Sequence, residues 1–128
     1  MLNKILLVML GGGTGAALRF LVGDYVTRLY GGLFPMGTFL INVTGSFFIG
    51  ILMTVFVGRP DINPNWRLFL VTGILGGYTT FSSFEWETFA TMRSGAPLVA
   101  LLNVTFSVLL GFLGVWLGFM LVTKVRGQ

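Results

Sequence analysis

The chain has 128 residues, of which 55% are hydrophobic, 15% aromatic and only 9% charged, with a formal charge of +4 and neither cysteine nor histidine. A soluble domain carries about 25% charged residues, and so short a chain exposes too much of its surface to hide this many apolar side chains from water, so lipid is the solvent that suits it. The missing thiols and imidazoles exclude a disulfide framework, the usual zinc sites and Cys or His catalysis, so no enzyme is expected; the eight basic residues stand singly from Lys4 to Arg126, and no nucleic-acid partner is expected either.

A membrane helix needs about 20 mostly apolar residues. The spacing of charges and of Gly/Pro-rich connectors predicts an all-α integral membrane protein, a single domain with four transmembrane helices over about 2–28, 36–57, 67–93 and 97–123. The first apolar stretch runs on past signal-peptide length without a cleavage pattern, so it is read as a mature span. It contains Gly11-Gly-Gly-Thr-Gly-Ala16, which spells a dinucleotide-binding pattern. That reading lacks its preceding strand and its acidic residue about 20 positions on. Gly11/Gly15, like Gly73/Gly77 and Gly114/Gly118 further along, has the four-residue spacing that lets membrane helices approach closely. Arg19 lies near the far end of the span.

On the second span Thr38, Asn42 and Ser46 recur every four residues and so share one stripe. Polar groups inside lipid are costly and tend to mark function. Amide and hydroxyl donors can replace the hydration of a small anion without trapping it as a lysine would. Asn42-Val-Thr44 and Asn103-Val-Thr105 also spell glycosylation sequons, but in mid-span no transferase reaches them.

The third span is the least regular. Gly76-Gly-Tyr-Thr-Thr80 combines paired glycines with two β-branched residues, so a break is predicted there. A break frees carbonyls that in a membrane must find a helix, water or a cation. With no His, Cys or clustered carboxylates nearby, that cation is a hard, weakly bound one such as Na⁺. Beyond the break Phe81 and Phe84 share a face, with Glu87 one turn on; the positive edge of an aromatic ring suits the wall of an anion path.

The fourth span repeats the polar spacing with Asn103 and Ser107, and Gly111 is next in line. LLNVTFSVLLG at Leu101–Gly111 is similar to LINVTGSFFIG at Leu40–Gly50, and the same offset superposes Gly12 on Gly73. A parallel repeat of two helix pairs and a coincidence of an apolar alphabet both account for this. Five basic residues on one side oppose three on the other, a weak positive-inside bias that allows insertion in both orientations.

Taken together, GGGTGAALRF at Gly11–Phe20, GTFLINVTGSF at Gly37–Phe47 and GGYTTFSSF at Gly76–Phe84 resemble, in order and on the right spans, the signatures of the Fluc (CrcB) family of fluoride channels. The resemblance covers essentially the whole chain. It implies an antiparallel, dual-topology homodimer in the lipid bilayer of a bacterial inner membrane, with two pathways at the subunit interface that export fluoride passively. Carried over by position, it implies that Phe81 and Phe84 face the pores, that Asn42 is a pore-lining amide, and that Thr38, Ser83 and Thr80 line or support the path. It further implies Glu87 beside the phenylalanines, Arg19 drawing anions into a vestibule, a polar track on Asn103 and Ser107, and a central structural Na⁺ held by the backbone carbonyls of Gly76 and Thr79. Gly111 departs from the hydroxyl expected at its position, and Tyr78 and Ser83 are mild variations. The rival reading is a small four-span proton-coupled drug exporter. Such exporters work through a carboxylate in the first span, where this chain offers only Asp24 near the end.

Overall fold

The computed structural model describes residues 1–127. Among these the chain is helical, with short connectors where glycine and proline cluster. Helix α1 (Leu2–Tyr30) stops at Gly31, and α2 (Met36–Val57) follows Pro35 and ends at Gly58. Asn63 then caps α3 (Pro64–Arg67), its Oδ1 accepting the Asn65 N–H at 2.9 Å, with Pro64 in the first turn where its missing N–H costs nothing. Helix α3 runs into a π-helical segment (Leu68–Leu75) and then α4 (Gly76–Tyr78). Thr79 and Thr80 are extended, with φ/ψ of −78°/157° and −152°/120°. Helix α5 (Phe81–Arg93) follows, then a turn through Gly95 at φ 90°, a conformation glycine adopts without strain, and α6 (Pro97–Val125). Three of these helices, α1, α2 and α6, are long and apolar enough to cross a membrane.

Two features of the third run differ from what the residues suggest. The paired glycines do not disrupt the helix: Gly76 is helical at φ −63°, ψ −35°, and the interruption falls on the two threonines. Gly77 serves packing instead, for a Cβ there would lie 3.0 Å from the Cα of Gly12 on α1, whereas one on Gly76 meets only the Val71 carbonyl of its own run at 3.7 Å. The π-helical segment has no signature either, because Leu68–Leu75 is uniformly apolar apart from Thr72 and Gly73.

The helices meet through backbone. A Cβ on Gly11 would sit 2.9 Å from the Gly73 Cα, one on Gly37 3.2 Å from the Gly23 carbonyl, and one on Gly118 2.9 Å from the Ile51 nitrogen. Thus α1 packs on the π-helical segment and α2, while α2 packs on α6. Such contacts suit a membrane, where lipid is as apolar as leucine and close van der Waals approach replaces hydrophobic exclusion. The apolar side chains this leaves outside, among them Leu98, Leu109, Phe112 and Phe119 of α6, are exposed.

The ends are tied by polar groups. Arg126 donates to the carbonyls of Thr54 (3.4 Å) and Val55 (3.2 Å), placing a cation at the C-terminal end of α2, where the Thr54 oxygen also accepts the Gly58 N–H at 3.1 Å. Thr91 of α5 donates to Leu33 in the first connector at 3.3 Å. In the second connector Arg59 holds Asp61 through two hydrogen bonds of 2.8 and 2.9 Å and keeps that carboxyl down at about 2. Whatever this exposed pair contributes is present above the ordinary carboxylate range and is lost only as pH falls through that value.

Candidate functional site around Asn42 and Thr80

An extended residue presents its N–H and C=O to the same side, as in a hydrogen-bonded pair of β-strand residues. A primary amide carries a donor and an acceptor side by side and can match both. Asn42 does so for Thr80: its Nδ2 donates to the Thr80 carbonyl and its Oδ1 accepts from the Thr80 N–H, each at 2.9 Å. Helix α2 thereby pins the non-helical residue that separates α4 from α5. Thr80 in turn caps α5, its Oγ1 accepting the Ser83 N–H at 3.3 Å and donating to the Ser83 hydroxyl at 3.0 Å.

The clamp changes what the neighbouring carbonyls do. In a continuous helix the Gly76 carbonyl would accept from the Thr80 N–H, four residues on. That proton now goes to Asn42, so the Gly76 oxygen has lost its helical partner. The Thr79 carbonyl accepts from Arg19 Nη1 at 3.3 Å, tying α1 to the same point, while the Thr79 hydroxyl donates back to Leu75 at 2.9 Å. Tyr78 is held too. Its hydroxyl lies 3.0 Å from Thr44 Oγ1, and because the Thr44 proton is directed at the Leu40 carbonyl 2.7 Å away, Tyr78 is the donor.

Two cavities meet at Thr80. One of about 370 Å³ is lined by Asn42, Ser46, Gly76, Thr79, Phe81, Phe84 and Ser107 as well as Thr80. The other, of about 600 Å³, is lined by Arg19, Asp24, Thr38, Ser83 and Glu87, again with Thr80. Most of the residues singled out from sequence are therefore gathered at one place, on both sides of the clamped threonine. The rings of Phe81 and Phe84 lie 5.9 Å apart and inclined at 37°, with Phe81 71% exposed at the cavity edge. Glu87 keeps one carboxylate oxygen, Oε2, shielded and without a hydrogen-bond partner.

Asn103 is placed differently. It is 1% exposed and lines neither cavity; its Nδ2 donates to the Thr88 hydroxyl at 2.8 Å and its Oδ1 accepts from Ser107 at 3.2 Å, so it docks α6 to α5. Ser107 alone of the α6 pair reaches a cavity.

The family described as CrcB-like protein, Camphor Resistance (CrcB), matches residues 6–119. The chain belongs to the CrcB family. Its relatives include proteins named fluoride-specific ion channel FluC from Solibacter usitatus, 51% identical over 121 residues (94% of this chain, 99% of the relative), and from Acidobacterium capsulatum, 45% identical over 122 residues (95% and 98%). A third, from Rhizobium meliloti and of the same name, is 43% identical over 121 residues, covering 94% and 97%.

Some partners in this CrcB-family site have no sequence signal. Thr88 and Thr44 are ordinary helical threonines, and nothing local marks them as partners of Asn103 and Tyr78. Gly45 has a cue only in hindsight: the Thr79 side chain occupies the place its Cβ would take.

Proposed function

We propose that the protein is a fluoride channel of a bacterial inner membrane, passing fluoride down its gradient and so lowering the cytoplasmic concentration. The observation that carries this reading is the clamped interruption at Thr79 and Thr80, flanked by two cavities whose walls offer the Asn42 amide, hydroxyls, aromatic rings and one arginine beside the carboxyls of Asp24 and Glu87. The names and near full-length identity of the relatives support the same activity. A tightly hydrated anion must exchange its water for other donors, and these groups do so without binding it too firmly to leave. In this reading α3, the π-helical segment, α4 and α5 together form the third of four spans, broken at the threonines.

The working unit is an antiparallel, dual-topology homodimer with two pathways at its interface. Phe81 supports this, because its ring is left exposed where a cavity bearing the Asn42 amide and several hydroxyls opens, a place that a second subunit would cover. Phe81, Phe84, Asn42, Thr38, Ser83, Thr80, Ser107 and Glu87 line or support the path, Arg19 attracts anions towards it, and Asn103 acts by holding α5 against α6. In liposomes read with a fluoride electrode, Phe81→Ile and Phe84→Ile are each expected to slow efflux at least about tenfold, a barrier change of about 1.4 kcal/mol. Wild-type rates in both variants would remove the phenylalanines from the pathway.

The chain's own groups fit a central Na⁺. The Gly76 oxygen lacks its helical partner, and the Thr79 oxygen retains a second lone pair beside the Arg19 bond. Neutral carbonyls freed where a helix unwinds are ordinary ligands for this ion. Bound there, it would supply a charge that gathers carbonyls from both subunits. Replacing Na⁺ by N-methylglucamine is then expected to lower the unfolding temperature in detergent, since an ion at a hundred times its dissociation constant contributes about 2.7 kcal/mol. An unchanged unfolding temperature would argue against the ion.

The exporter reading is not favoured. Its one first-span carboxylate, Asp24, is committed to Arg28 at 2.9 Å on the exposed end of α1.

A further inference from the structure

The 370 Å³ cavity has four hydroxyls on its wall, those of Ser46, Thr79, Thr80 and Ser107. A hydroxyl has a single proton to donate, so each can be followed to its acceptor. Thr79 gives its proton to the Leu75 carbonyl at 2.9 Å, Thr80 to Ser83 Oγ at 3.0 Å, and Ser107 to Asn103 Oδ1 at 3.2 Å. These three present only lone pairs to the cavity and would repel an anion. Ser46 forms no hydrogen bond among the described residues; Thr44 and Thr54 on the same helix both donate back to the carbonyl four residues before them.

One further donor is available. The Asn42 Nδ2 carries two hydrogens, of which Thr80 takes one. Asn42 and Ser46 are four residues apart on α2 and therefore neighbours on one face. Opposite them on α6 stands Gly111, which has no side chain to fill the space: a Cβ there would lie 3.4 Å from Ser46 Oγ.

We propose that Ser46 is a fluoride-binding residue of the pathway, its free O–H forming with the second N–H of Asn42 a two-donor step on α2 that Gly111 leaves room for. The proposal rests on the fluoride-channel reading and adds a residue to it. Hydroxyls whose protons are already committed contribute shape and lone pairs to this cavity, while Ser46 contributes the proton.

The test is fluoride efflux from liposomes, with the unfolding temperature of each purified variant measured alongside. Ser46→Ala is expected to slow fluoride about tenfold, the loss of one hydrogen bond to an anion, at an unchanged unfolding temperature. Cysteine keeps nearly the shape of serine with a much weaker donor, so Ser46→Cys is expected to lose flux as Ser46→Ala does. Wild-type flux in Ser46→Ala or in Ser46→Cys overturns the role of Ser46. Wild-type protein that carries no fluoride while passing another solute overturns the channel reading itself, so the two failures are distinguishable.

Discussion

Asn42→Ala is expected to abolish fluoride flux and to destabilise the fold. The substitution removes two 2.9 Å hydrogen bonds at once and leaves the Thr80 N–H and C=O without partners at a point where the chain is not helical. Interhelical hydrogen bonds in membranes are worth about 0.6 kcal/mol on average and about 1.7 at most, so the loss in stability should be about 1 to 3 kcal/mol. The functional loss should be greater, because the released Thr80 N–H can return to Gly76 and prolong α4, altering both cavities together. Asn42→Asp separates the two bonds: a carboxylate still accepts from the Thr80 N–H but has no donor for the carbonyl. Unfolding temperature and fluoride efflux measured on both variants decide the matter. Near wild-type flux in Asn42→Ala would show that the interruption holds without the clamp.

Gly15→Ala and Gly13→Ala are expected to have opposite effects although they lie two residues apart on the same helix. A Cβ on Gly15 would fall on the Ile74 carbonyl and 2.8 Å from the Tyr78 nitrogen, both of them backbone atoms that cannot swing aside. Helix α1 would have to lift from the third run, weakening the Arg19 contact with Thr79 as well. Overpacking of this kind costs about 1 to 3 kcal/mol or more, and little folded protein is expected. Nothing within 4 Å meets a Cβ on Gly13, and alanine in place of glycine favours a helix by up to about 1 kcal/mol. The yield and unfolding temperature of the two purified variants provide the comparison. Equal tolerance at both positions would contradict the packing of α1 on the third run.

Much of the fold is legible because its signals are local. Apolar runs between charges mark the long helices, and Gly31, Pro35, Gly58, Pro64, Gly95 and Pro97 mark their ends. The polar stripe on α2 and the pair of phenylalanines after the threonines identify side chains that do meet around shared cavities. Reading which bonds those side chains make is a different matter. Asn42 and Asn103 stand in the same Asn-Val-Thr setting, yet one clamps a backbone 38 residues away and the other joins a side chain 15 residues away. The glycines mislead in the same manner, since Gly76-Gly77 reads as a helix breaker by propensity, whereas both residues are helical and Gly77 lies against the Gly12 backbone of α1.

By itself the sequence determines that this is an all-helical membrane protein and which polar side chains enter the bilayer, because charge, apolar length and helical period are properties of neighbouring residues. The tertiary structure decides which protons remain free. A hydroxyl or amide in lipid bonds to whatever the packing brings within about 3 Å, and the packing here depends on glycine contacts between segments far apart in the chain. Ser46 and Ser107 look alike on their helices; only their surroundings leave one with a proton to offer an anion and the other with none.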